Sequence, residues 1–317
     1  MAIPVIDFSK LQGESEERAK TLAEIHACCV HWGFFQLINH GIPEELLEMV
    51  KKVTSECFKL EREALFEEAM QQQQLLLQNG AADENNNSYS FDWEDVFLLS
   101  DDNVDQWPSK TSAFRETMKE FRGELKKLAI KVMEAMDENL GLPKGYINKA
   151  FSEDAAFFGT KVSHYPPCPA PEKMIGLRAH TDAGGVILLF QDDEVKGLQI
   201  LKDGAWMDVQ PLKNAIVINT GDQIEVLSNG LYKSVWHRVL ALPDGNRRSI
   251  ASFYNPSHNA IIQPAQQLLS LREEVEDEGD SVKIKYPKFL FGDYMSVYAH
   301  QKFSPKEPRF QAVKTLN

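Results

Sequence analysis

The sequence predicts an α+β protein in which helices come first, a β-rich core follows, and helices close the chain. Three observations predict it. Phe114, Met118, Phe121, Leu125, Leu128 and Val132 recur at intervals of 4, 3, 4, 3 and 4, an apolar stripe at helical spacing. From Phe157 to about Ile262 the chain is rich in β-branched and aromatic residues. Turn pairs at Pro166-Pro167, Gly184-Gly185, Asp203-Gly204, Asn229-Gly230 and Asp244-Gly245 punctuate it, which suits a sandwich or barrel rather than βαβ units. After Pro264 the sequence is helical and charged again, through Glu273 to Glu278. Neither an internal repeat nor a composition break marks a linker. The expected organisation is therefore one unit with a mainly helical region at 1–155, a β core at 156–262 and a helical region at 263–317.

In order along the chain, residues 3–8 read as a short strand and Glu14 to His31 as a helix with Ala19, Leu22, Ile25 and Cys29 on one side. Gly33 stops that helix, and Phe34 to Asn39 reads as a strand. Pro43 suits the first position of the next helix, whose stripe includes Leu46, Leu47, Val50, Val53, Cys57 and Leu60. This helix is expected to fray near Gln71 to Gln74. Residues 78–92, with Asn85-Asn86-Asn87, read as a mobile loop. The helix from Ser109 to Leu140 should end at Gly141, ahead of Pro143. Its stripe lasts about three heptads, so core packing is preferred to a coiled coil. A final amphipathic segment spans Phe289 to Phe303.

The 317 residues are 43% apolar and 26% charged, which supports a sizeable core. A net charge of −13 disfavours nucleic acid and anionic membrane as partners. No apolar run approaches the ~18 residues of a membrane span. The N-terminus has no signal-peptide pattern. Four cysteines, without zinc or redox spacing, read as reduced thiols of a cytoplasmic protein. Nothing in the sequence fixes an oligomeric state.

The chemistry concentrates in the β region. His180 and Asp182 stand at i and i+2, so in a strand both face one cavity. His237 follows 55 residues after Asp182, and Arg247-Arg248-Ser249 begins ten further on. Two imidazoles and a carboxylate form a facial metal set with open positions, suited to non-haem Fe(II) oxygen chemistry. Arg247 and Ser249 share a strand face and offer a fork for an anionic substrate, with Arg248 turned to solvent and the Tyr165 hydroxyl as an added contact. Taken singly, each is equally well a surface charge or a core tyrosine. Of the other histidines, His26, His31, His258 and His300 read as packed or surface residues. The sequence lacks HExxH, a P-loop, GxGxxG and GxSxG, which removes zinc peptidases, nucleotide-binding folds and serine hydrolases.

Gly176 to Gly185, Leu188 to Asp193, Asn219 to Gln223, Lys233 to Val239 and Arg247 to Pro256 resemble the plant Fe(II)/2-oxoglutarate-dependent dioxygenase superfamily. Arg178, Ala183-Gly184-Gly185 and Lys306-Glu307-Pro308-Arg309-Phe310 resemble the 1-aminocyclopropane-1-carboxylate (ACC) oxidase family within it, and so does Asp92-Trp93-Glu94. The likeness runs nearly end to end, with departures at His164, Ser257 and Gln311 and a poor match over Glu67 to Ser90. It implies a distorted double-stranded β-helix (jelly-roll) core with His180, Asp182 and His237 on iron. It further implies that Arg247, Ser249, Tyr165 and Asn219 hold substrate or cosubstrate. Lys161, Arg178 and Arg309 would be active-site residues linked to ACC, bicarbonate or ascorbate. The implied reaction consumes O2 and ACC, whose amine and carboxylate can chelate iron, with ascorbate as external reductant and bicarbonate or CO2 as activator. Ethylene, CO2 and cyanide are its products. Two alternatives remain open: a 2-oxoglutarate-dependent hydroxylase or desaturase, because Arg247-x-Ser249 suits that cosubstrate too, and a non-catalytic small-molecule binder.

Overall fold

The computed structural model describes residues 2–78, 92–273 and 284–316. The chain opens with β1 (Val5–Asp7), α1 (Ser15–His31), β2 (Phe34–Ile38), α2 (Glu44–Cys57), α3 (Glu63–Gln78), β3 (Asp95–Leu99), α4 (Phe114–Asn139) and α5 (Tyr146–Ala150). The β core follows as β4 (Phe157–Tyr165), β5 (Ile175–His180), β6 (Val186–Gln191), β7 (Leu198–Lys202), β8 (Ala205–Asp208) and β9 (Ile216–Thr220). It continues through α6 (Asp222–Leu227), β10 (His237–Leu240), β11 (Arg247–Asn255) and β12 (Ile261–Ile262). The chain closes with α7 (Gln266–Glu273), β13 (Phe289–Leu290), α8 (Phe291–Gln301) and α9 (Glu307–Ala312).

A seven-stranded sheet has the order β1-β2-β9-β6-β11-β4-β3, and a four-stranded sheet the order β5-β10-β7-β8. The first three strands of the chain thus join a sheet whose centre comes from the β core. Residues from the two sheets meet in one cluster, with Phe34, Tyr165 and Val217 against Leu177, Leu198, Ile200 and Val239. Two sheets facing each other across such a core form the distorted double-stranded β-helix.

Strand alternation then sorts the side chains. On β6, Val186, Leu188 and Phe190 join the helix-side core, while Ile187 and Leu189 line the cavity between the sheets. On β9, Ile216 and Ile218 face the helices and Val217 and Asn219 face inward. On β11, Ile250 and Tyr254 face the helices, and Arg247, Ser249, Ala251, Phe253 and Asn255 face the cavity. The outer face of the large sheet is covered mainly by α4, whose whole predicted stripe is buried, with Phe121 5.5 Å from the ring of Phe190. Core packing is therefore the role of that stripe.

Several boundaries differ from the sequence expectation for identifiable reasons. The long helix starts at Phe114, not Ser109, because Ala113 takes a left-handed conformation at φ +59°. Residues just before it are held by Glu61 Oε1, which accepts from Lys110 N, Thr111 N and Thr111 Oγ1 at 3.1, 2.9 and 3.0 Å. The helix ends as expected at Gly141, φ +67°, where Leu142 N donates back to Asp137 O at 2.8 Å. Pro43 is the cap of α2 rather than its first residue. Leu60 leaves the buried stripe and is 61% exposed, since a π-helical turn over Phe58–Arg62 shifts the helical phase. The helix does not fray at Gln71–Gln74 but continues to Gln78. The expected loop lies almost wholly outside the described residues, as do Glu274 to Glu278.

Phe121→Ala should cost about 3–5 kcal/mol by opening a cavity between α4 and the sheet. A urea titration checks this: the midpoint should fall with the slope unchanged.

Candidate metal centre

His180 is the last residue of β5 and His237 the first of β10, and the two are directly paired across the antiparallel ladder. That register brings residues far apart in sequence to a ring separation of 4.3 Å. Asp182 lies just beyond the strand, so its arrival on the same face owes more to the following loop than to strand alternation. Gly184 and Gly185 are what let that loop run so tightly. A Cβ on Gly184 would sit 1.7 Å from Asn255 Oδ1, and one on Gly185 2.1 Å from the Phe151 ring.

The donor atoms of His180, Asp182 and His237 all lie within 4.8 Å of one another. Asp182 Oδ1 is 3.7 Å from His180 Nε2, and Oδ2 is 3.5 Å from His237 Nε2. These separations are too long for hydrogen bonds and suit three donors turned on one ion. Each imidazole is oriented through its other nitrogen: Nδ1 of His180 contacts Arg178 O at 2.8 Å, and Nδ1 of His237 contacts Val235 O at 3.1 Å. With Nδ1–H donating to a carbonyl, Nε2 presents its lone pair to a metal. Burial, His237 and Lys302 all press the His180 pKa well below its ordinary value, which keeps that lone pair free. Asn219 Nδ2 donates to Asp182 Oδ2 at 2.8 Å and fixes the carboxylate. Its observed partner is thus a metal-directed ligand. The residues present fit Fe(II).

Behind this face sits a second, dry network. Thr181, between the two ligands, is fully buried, and its carbonyl accepts from Tyr298 Oη at 2.8 Å. Its hydroxyl donates to Asp222 Oδ2 at 3.3 Å and accepts from Arg309 Nη1 at 2.9 Å. Asp222 also accepts from Tyr294 Oη at 2.6 Å, and its own N–H donates to Asp182 O at 2.8 Å. Arg309 is 0% exposed, and its other donors reach Asp222 Oδ2, Gln301 O, Lys302 O and Ser304 O. The five N–H groups of a guanidinium are all engaged. Arg309 therefore ties the C-terminal segment to the back of the metal loop and turns no donor towards the cavity.

A cavity of about 390 Å³ opens in front of the metal face, lined by both sheets and by Met295, Tyr298 and Lys302 of the C-terminal segment. Arg247, 2% exposed, lies in its wall and donates to Gln191 Oε1 at 2.8 Å and Ser249 Oγ at 3.2 Å. Its Nε and the Nε2 of Gln191 are buried without a partner. Two unmet donors in a buried wall are what an anionic ligand would satisfy. Arg248 points the other way, as expected, but is half-buried rather than solvated, its N–H on Asp192 and its Nη2 near Asn246.

Lys161 and Tyr165 also face the cavity, and both are held by Glu94. Arg178 stands further out, bonded to Asp92 at 3.0 and 3.3 Å and stacked 3.8 Å over Phe303. Sequence reasoning did not assign Glu94, Gln191 or Lys302. Glu94 belongs to the Asp92-Trp93-Glu94 motif, so a signal existed. Gln191 follows from being opposite Ser249 on β11. Lys302 carries no local pattern. His164, one of the departures, packs on the helix side against Phe58 at 5.0 Å and has no part in the cavity.

Residues 157–256 match the 2OG-Fe(II) oxygenase superfamily, and residues 3–118 match the N-terminal region of non-haem dioxygenases described from morphine synthesis. The solved structure of JOX2 in complex with 2OG, Fe and JA is 30% identical at a TM-score of 0.80, covering 100% of this chain and 90% of that one. A dioxygenase for auxin oxidation in rice, at 23% identity and TM-score 0.75, covers 98% and 100% and shares the fold. Fold and site together define a non-haem Fe(II) dioxygenase of this superfamily. The chain is 64% identical over the full length of both proteins to 1-aminocyclopropane-1-carboxylate oxidase 5 of Arabidopsis thaliana, and 64% identical to the Musa acuminata enzyme with the same coverage. It belongs to the ACC oxidase family.

Two variants check the centre by metal titration. Asp182→Ala should lose Fe(II) binding and turnover together. Asn219→Ala should weaken Fe(II) by about 10–100-fold, the range for a residue that orients a ligand; unchanged affinity would contradict that role.

Proposed function

We infer that the protein oxidises ACC with O2 to ethylene, CO2 and cyanide, taking ascorbate as reductant and bicarbonate as activator. The observation that carries this reading is a full-length 64% match to ACC oxidases, on a chain whose His180, Asp182 and His237 donors converge and whose Arg247 and Ser249 line the adjoining cavity. Iron, when bound, supplies the activation of O2. The chain's own groups bind and orient the organic substrate. Arg247, with Ser249 and Gln191, takes the carboxylate of ACC or the bicarbonate on its unmet donors. Phe34, Leu177, Ile187, Leu198 and Val239 give the cavity an apolar lining that excludes water from a small cyclopropane ring.

Four electrons reduce O2 to water, two from ACC and two from ascorbate, so the reductant must act without occupying the place of ACC. Lys161 in the cavity wall and Arg178 further out offer cationic positions for ascorbate or bicarbonate. Arg309 serves the reaction from behind, by holding the segment that carries Tyr298 and Lys302 against the metal loop. Four buried cysteines without a disulfide suit the reducing cytoplasm. Among the described residues, no helix is long and apolar enough to cross a membrane.

Fe(II), ascorbate, bicarbonate and ACC, without 2-oxoglutarate, should yield ethylene in the headspace. No ethylene, with succinate formed once 2-oxoglutarate is added, would favour the hydroxylase reading. Arg247→Ala should cost about 1.5–3 kcal/mol of substrate or activator binding, the value of a charge-assisted hydrogen bond. Steady-state kinetics checks this, the loss appearing in KM for ACC or in the bicarbonate requirement.

A further inference from the structure

The cavity wall holds one group that the carboxylate clamp does not use. Glu94 precedes β3, and its side chain is only 5% exposed. It takes Lys161 Nζ at 2.7 Å and accepts from Tyr165 Oη at 2.5 Å. Lys161 and Tyr165 lie four residues apart on β4, on the face that lines the cavity. Both carboxylate oxygens of Glu94 act as acceptors here, Oε1 for the Tyr165 hydroxyl and Oε2 for Lys161 Nζ at 2.8 Å. The single proton of the Tyr165 hydroxyl is therefore committed to Glu94. Burial and the Glu94 charge also raise the Tyr165 pKa well above its ordinary value, so that proton stays in place. With that proton held, the Tyr165 oxygen can only accept, and the neighbouring Ser163 and Arg247 side chains also bear on it.

This oxygen belongs to the neighbourhood of the clamp. Tyr165 is paired with Arg247 across β4 and β11, and the guanidinium lies 5.2 Å over its ring. A hydroxyl already donating to Glu94 cannot also donate to a substrate carboxylate, so the carboxylate contact expected of Tyr165 from the sequence does not fit its hydrogen bonding. An acid held on Arg247 instead presents its α-substituent to this region. An α-amine brings N–H donors, an α-oxo group brings only lone pairs, and a plain α-carbon brings neither. A site built to meet one donor rejects an analogue that lacks it, since a buried partner is then left unsatisfied.

We propose that Glu94 sets the substrate class: by claiming the proton of Tyr165, it makes this cavity select α-amino acids over α-oxo acids. Glu94 is a positioning residue acting through Tyr165. The proposal rests on the reading of Arg247 as a carboxylate clamp and deepens the function inferred above.

The test measures binding, not turnover, so its outcome is separate from whether ethylene is formed. Anaerobic Fe(II)-loaded wild type, Glu94→Gln and Tyr165→Phe are titrated calorimetrically with α-aminoisobutyrate, cyclopropanecarboxylate and pyruvate. These probes share a carboxylate and differ in the α-substituent. In both variants the preference for α-aminoisobutyrate over cyclopropanecarboxylate should shrink by about tenfold or more, the loss of one hydrogen bond to a charged or polarised partner. Pyruvate should bind Glu94→Gln more tightly than wild type, because a neutral amide no longer offsets the Lys161 charge and holds the Tyr165 proton less firmly. Glu94→Asp should recover part of the preference. An unchanged ratio, or an equal loss of all three probes, overturns the proposal. If Glu94→Gln does not fold, the same ratio in Tyr165→Phe decides.

Discussion

The pairing of His180 with His237 across two antiparallel strands is the constraint on which the site depends. It places two imidazoles at the end of the small sheet, each held by a carbonyl two residues earlier in the chain. Because side chains alternate across a strand, the same register decides what else faces the ion. Val239 on β10 points into the cavity by alternation, Leu177 on β5 reaches it because the register shifts between His237 and Val239, and the large sheet supplies Asn219, Arg247 and Ser249 from its inner face. A slip of one residue would turn each of these groups out of the cavity. The α4 helix matters to chemistry for this reason: its buried stripe backs the sheet whose register sets the wall.

Polar groups in this protein fall into two populations with different jobs. Behind the metal loop, Thr181, Asp222, Tyr294, Tyr298 and Arg309 nearly satisfy one another, with Asp222 Oδ1 the one side-chain atom left over. Such a network is rigid, because opening it strands buried donors and charge. In front, Arg247 and Gln191 keep donors unpaired, and Glu94 ties up a proton that would otherwise be offered to ligand. The rear network fixes the ligands, and the wall in front lines the space where a small molecule would meet them. Both depend on the C-terminal segment, since Arg309 belongs to the first and Lys302 lines the second.

Much of this was legible in sequence wherever a period carried it. The α4 stripe and the inward pair Arg247 and Ser249 follow from counting residues, whereas Asp182 joins His180 through the loop after β5 and not by strand period. The His180–His237 register does not, since strand order in a sheet depends on packing between distant segments. Arg309 shows a different limit: an arginine's donors look the same in sequence whether they meet a ligand or backbone carbonyls. Asn219 belongs to a recognisable motif, yet its partner, Asp182, appears only once β9 lies beside β6. Leu60 fell off its stripe because a π-helical turn changed the phase, and no residue type announces that. Glu94 lies outside any periodic element, so its grip on Tyr165 emerged only from the assembled wall.

The central claim is that one iron sits where His180, Asp182 and His237 converge, in front of the Arg247 clamp. Anomalous diffraction at the iron edge, from crystals grown anaerobically with Fe(II), tests it directly. The account predicts a single strong peak bounded by Nε2 of both histidines and the Asp182 carboxylate. A peak elsewhere, or iron contacting the histidines through Nδ1, would contradict it.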